Sequence, residues 1–174
     1  MSRFSLYEQE LIYEAVTISE ELVNNYYKMS SSEWLKGRYE IKTAKNLSVY
    51  ESVKGPLAQV VKYKGKRKDS SLSSNSISFY TVCLQDDAIL KAVKDDTSLS
   101  LYPFLVYIIT HELVHIVRFL KFYQLYEVAS EEELTISEER KVHTITWEIL
   151  KAVSLDSLEN VFDYHKKWRI VSKS

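Results

Sequence analysis

Glycine and proline are nearly missing from this chain: three Gly and two Pro among 174 residues. Average proteins use the pair at roughly 12%. Few turns and long elements follow, so a mainly helical protein is expected. Cysteine is scarcer still. The single Cys83 forms no internal disulfide and builds no cysteine-based zinc site. On a strand, a lone Cys reads as a small buried hydrophobe. An excess of either charge is also lacking. The 23 basic and 24 acidic side chains leave a net charge of −1. So weak a field gives no global drive toward nucleic acid or anionic membrane. The longest uncharged stretch, Thr97 to Thr110, falls short of the about 20 residues that span a bilayer. The N-terminal MSRFSLYEQE has no apolar signal core. A soluble, cytoplasmic protein with no membrane partner is therefore expected.

What is present is ordinary core material. Hydrophobic residues make up 45% and charged residues 27%. Such a chain has enough apolar surface to offset its ordering entropy, which excludes a disordered protein. Its length suits a single domain, residues 1–174.

Helical signals open the chain, over residues 5–50. Ser5 and Glu8 form a capping box. Ile12, Ala15, Ser19, Leu22 and Tyr26 then recur at helical spacing, which predicts a helix over 5–28 with one buried stripe. Ser30 and Glu33 repeat the capping signature before a short helix near 32–45, weakened by Gly37. Residues 56–85 change character. Leu57 to Lys64 and Ile77 to Gln85 are rich in β-branched and aromatic residues, with a Lys/Ser-rich loop between them. They predict a β-hairpin whose second strand is largely covered. One or two helical turns fit 88–94. Helix patterns resume over 99–153. From about 99 to 127 the chain is apolar on every side of a helix, the mark of a central, buried one. Ser130 and Glu133 form a further capping box before a helix over about 131–153. A last helix, to about 168, occupies the segment 154–174.

The buried helix contains His111-Glu112-Leu113-Val114-His115, an H-E-x-x-H motif. Histidines at i and i+4 sit about 40° apart on a helix, so both imidazoles reach one metal ion. Glu112 is offset toward the open side, where it can take a proton from a water held by the metal. The motif lies in the most apolar stretch of the chain. An uncompensated buried carboxylate is costly there, and a bound dication removes that cost. A catalytic zinc site usually has a third protein ligand. The following helix offers Glu138, Glu139 and His143. Glu139 is the chosen ligand and Glu138 the fallback. His143, one turn on, either orients a ligand or is itself the third ligand.

HELVH followed by a helix with a Glu four residues before a His resembles the gluzincin metallopeptidases, particularly their smallest members. The resemblance covers about 111–143. It implies a zincin-like α+β fold, predominantly helical, with a small antiparallel sheet on the motif helix. It implies one Zn²⁺ per chain on His111, His115 and Glu139, with Glu112 as general base in peptide hydrolysis. It also implies an upstream edge strand that holds a peptide or protein substrate, here Ile77 to Gln85. Metzincins are excluded, because IVRFLK follows His115 with no Gly and no third His. A ferritin-like di-iron site is disfavoured: Arg140 and Phe162 stand where the second E-x-x-H pair needs its Glu. Tyr123, Tyr126 and His165 are candidate oxyanion stabilisers, although His165 reads as a surface or interface residue. A non-catalytic metal-binding scaffold is the alternative. The basic run Lys62 to Lys68 reads as a solvated hairpin loop, so nucleic acid is not expected as a partner.

Overall fold

The structure, a computed structural model, describes residues 1–66, 76–121 and 132–169. It is α+β and mostly helical, with five α-helices and a three-stranded sheet among the described residues. Helix α1 runs Leu6–Tyr27, α2 Asp86–Asp95, α3 Leu101–Leu120, α4 Glu132–Leu150 and α5 Leu158–His165. The strands are β1 (Tyr39–Lys42), β2 (Ala58–Lys66) and β3 (Ser76–Leu84).

Helix α1 starts at the expected capping box. The Glu8 amide donates to Ser5 Oγ at 3.1 Å, and the Ser5 amide donates to Glu8 Oε1 at 2.8 Å. Its buried face is Ile12, Ala15, Ser19 and Val23. Tyr26 is 43% exposed and hydrogen-bonds Glu148 instead, so the buried stripe ends on Val23 rather than on Leu22 and Tyr26. The small residues Ala15 and Ser19 let α1 approach α3 closely. Ser19 Oγ donates to the Val106 carbonyl at 3.3 Å.

No α-helix forms near 32–45; the only helical turn there among the described residues is a 3-10 turn at Ala44–Asn46. The Ser30/Glu33 signature closes only a turn. Gly37 then adopts φ +81°, a left-handed conformation that favours glycine and ends any helix. Tyr39 to Lys42 form a strand, because Tyr39 and Ile41 alternate with Glu40 and Lys42. This strand changes the sheet. Its order is β1-β3-β2, with β1 parallel and β2 antiparallel to β3. The sheet is therefore mixed, not purely antiparallel. The hairpin pairs as expected, with Val60 opposite Val82 and Lys62 opposite Tyr80. Tyr80, Val82, Cys83 and Leu84 are all buried, as a covered strand requires. Residues 67–75 of the hairpin loop, and with them part of the Lys62–Lys68 run, lie outside the described residues.

Helix α3 is the axis of the molecule. Residues 103–119 are all buried. It is long and apolar enough to cross a membrane, more than the uncharged stretch indicated, but 89% of that apolar window is buried inside the protein. Against it pack α1, α4, α5 and strands β2 and β3. It ends at Leu120 rather than near 127. The rest of that expected span, the Ser130 cap, Tyr123 and Tyr126 lie outside the described residues.

Candidate metal centre

Three side chains from two helices converge. One helical turn on α3 brings the His111 and His115 Nε2 atoms to 3.2 Å. Helix α4 places Glu139 across from them. Glu139 Oε2 lies 3.2 Å from His111 Nε2, and Oε1 lies 2.8 Å from His115 Nε2. His111, His115 and Glu139 form a group that could hold a metal ion, with donor atoms all within 4.8 Å of one another.

The other named residues take distinct places. Glu112 is buried with its Oε1 3.9 Å from His111 Nε2. Glu138 points elsewhere: it pairs with Arg118, whose Nε and Nη2 both donate to its carboxylate, the second at 3.2 Å. Adjacent residues on a helix face different directions, so only one of the two glutamates can join the histidines. His143 Nε2 stands 3.8 Å from Glu139 Oε2, while its Nδ1 is hydrogen-bonded to the Tyr107 hydroxyl at 2.8 Å.

The electrostatics follow from burial and charge. Burial pushes the Glu112 carboxyl up, against the pull of His111 and His115. Burial pushes Glu139 up as well, but hydrogen bonds from His111 and His115 outweigh it and hold that carboxyl well below the usual range. Burial depresses His115, and the Glu139 carboxylate more than reverses this. Glu139 also pulls His143 up but does not outweigh burial there, and no such carboxylate acts on His165 among the described residues. Burial, with His111 nearby, lowers them to about 2 and about 3. His111 Nδ1 is buried without a hydrogen-bond partner among the described residues, so this ring is oriented by its Nε2 contacts and by packing.

A cavity of about 780 Å³ opens over the cluster. One wall is the edge of the sheet, Gly55 to Val60. The opposite wall is Tyr164, His165, Lys167 and Trp168. His165 is thus not a surface residue. It is buried and stacks on Tyr107, ring centroids 4.2 Å apart, because α5 folds back onto α3. Nor is Ile77 to Gln85 an edge strand. It is β3, flanked on both sides, and β2 borders the cavity instead. Tyr107 and Arg118 escape the motif reading. Tyr107 stands four residues before His111, so helical spacing already places it on the motif's face. Arg118 had no comparable signal, since its partner lies on another helix.

No protein-family model, no curated protein and no solved structure matches this chain.

Proposed function

We propose that the protein is a zinc-dependent hydrolase of the metallopeptidase type, with a zincin-like arrangement of helices and sheet. The observation that carries this reading is the convergence of His111, His115 and Glu139. Ligands about 2.0–2.1 Å from a tetrahedral zinc lie about 3.3 Å apart. The two imidazole nitrogens, 3.2 Å apart, are close to that edge, and the Glu139 carboxylate bridges them, with Oε2 3.2 Å from His111 and Oε1 2.8 Å from His115. Two neutral imidazoles and a carboxylate are also the donor set of many catalytic zinc sites, which leave one position open. A bound zinc would supply Lewis acidity toward water and a carbonyl oxygen.

The chain's own residues would do the rest. Glu112, its affinity for protons raised by burial, accepts a proton from the attacking water and delivers it to the leaving amine. An extended substrate chain would lie along the cavity's β2 wall, because β2 is an edge strand of the sheet among the described residues. The Arg118–Glu138 pair ties the two ligand helices together beside the cluster.

The test is elemental analysis joined to peptide cleavage. The wild-type chain is expected to hold about one zinc, and His115→Ala to lose it. Glu112→Gln is expected to keep zinc and to cleave a peptide mixture at least about a hundredfold more slowly. Cleavage by Glu112→Gln at the wild-type rate would refute the mechanism.

A further inference from the structure

A hydrolase of this kind needs a donor for the negative charge that develops on the carbonyl oxygen. We infer that His143 is that donor, presenting a fixed Nε2–H to the cavity, and that Tyr107 is the positioning residue that fixes its tautomer. The inference rests on the hydrolase reading above.

The direction of one hydrogen bond decides the tautomer. Tyr107 is fully buried, and its hydroxyl has a single hydrogen-bond partner among the described residues, His143 Nδ1 at 2.8 Å. If Nδ1 carried the proton, the phenol would accept it. The phenolic proton would then be buried with no acceptor, which costs about 1–3 kcal/mol. If the phenol donates, Nδ1 accepts and the proton sits on Nε2. The far side of the ring agrees. Nε2 faces Glu139 Oε2 at 3.8 Å, and a lone pair there would oppose the carboxylate, whereas an N–H is attracted by it.

The same reasoning separates two roles. As a fourth metal ligand His143 would need its lone pair on Nε2, and the Tyr107 contact places a proton there instead. His143 also falls outside the compact His111, His115 and Glu139 group. Its ring is packed among His111 at 4.2 Å, His165 at 5.3 Å, Trp168 at 5.7 Å and Tyr107 at 5.9 Å. A donor locked in this way meets developing charge without reorganising.

The experiment is a long-range proton–nitrogen correlation spectrum of the full chain, zinc-loaded and labelled with ¹⁵N in histidine. The expected result is His143 with its proton on Nε2, and a shift toward mixed tautomers in Tyr107→Phe. Alongside, His143→Ala is expected to keep its zinc but lose about a hundredfold or more in kcat, with partial recovery in His143→Gln. A proton on Nδ1 in the wild type overturns the inference, even if Tyr107→Phe does not fold. Zinc lost from His143→Ala overturns it too, by making the residue a ligand. Unchanged kcat in His143→Ala overturns the donor role while leaving the hydrolase standing. A wild-type chain that binds no zinc overturns the hydrolase reading, and with it any donor role.

Discussion

At the scale of single residues, adjacent glutamates on α4 divide two tasks. Glu139 faces the histidines and Glu138 faces Arg118. Both members of the Arg118–Glu138 pair are about nine-tenths buried. Breaking such a pair from one side leaves a buried charge without its partner, worth about 3–5 kcal/mol. Glu138→Gln and Arg118→Met are each expected to destabilise the fold by that amount in urea denaturation. The Glu138→Gln chain should still take up one zinc at permissive temperature, because Glu139 remains in place.

Glu51 is a second such residue, and its effect is on acid stability. Its carboxylate accepts from the Ser48 amide at 2.9 Å, the Tyr63 hydroxyl at 2.7 Å and Lys42 Nζ at 3.2 Å. The Ser48 backbone hydrogen bond leads in lowering its carboxyl, which despite burial falls to about 2 from an ordinary 4.5. The unfolded chain therefore takes up this proton first. The stabilisation is fully present above about pH 4.5 and is lost as the pH falls toward 2. Glu51→Gln is expected to flatten the fall in melting temperature across that window.

At the scale of elements, α3, which carries the two candidate histidine ligands, is positioned by what packs behind it. Ala15 and Ser19 on α1 have no exposed surface, and α1 lies along α3. Ala15→Leu would overpack that contact, an effect of about 1–3 kcal/mol. It is expected to lower the melting temperature and to weaken zinc affinity, measured by competition with a chelator, because any shift of α3 relative to α4 opens the three-ligand cluster. The strand elements show a different dependence. β1 takes the far side of β3, with Tyr39 opposite Tyr80, and β2 is left as the edge that borders the cavity.

At the scale of the whole molecule, the candidate centre joins distant parts of one chain. His111 and His115 come from the middle of the sequence, Glu139 and His143 from α4, and His165 and Trp168 from the C-terminal wall. A ligand that binds only the folded state stabilises it by about 2.7 kcal/mol at a hundredfold excess over Kd. For a chain of this size that is roughly 5–10 °C in melting temperature. Zinc is expected to raise the melting temperature by that amount, with reversal by EDTA and no response in His115→Ala.

Polar contacts add further long-range ties. Asp86, buried at the start of α2, accepts from the Phe4 amide at 2.9 Å and the Ala44 amide at 2.8 Å. It thereby fixes the N-terminal residues and the segment after β1 to the same point. Glu33 reaches across from the turn before β1 to Lys121 at the end of α3, at 2.8 Å.

The sequence by itself determined what depends on local spacing. Capping chemistry placed the start of α1, and all-round apolarity made α3 the core helix. The i, i+4 rule brought His111 and His115 onto one face, and separated Glu139 from Glu138. Tertiary structure decided whatever depends on partners remote in sequence. The alternation in Tyr39 to Lys42 permits a strand, and the parallel edge that β3 offers made it one. β3 became central and β2 the cavity wall for the same reason. Arg118 claimed Glu138, and Tyr107 claimed His143, through contacts between α3 and α4. His165 left the expected surface because α5 folds back over Tyr107. Short-range periodicity fixes which side chains share a face. Only the packing of those faces fixes which side chains meet.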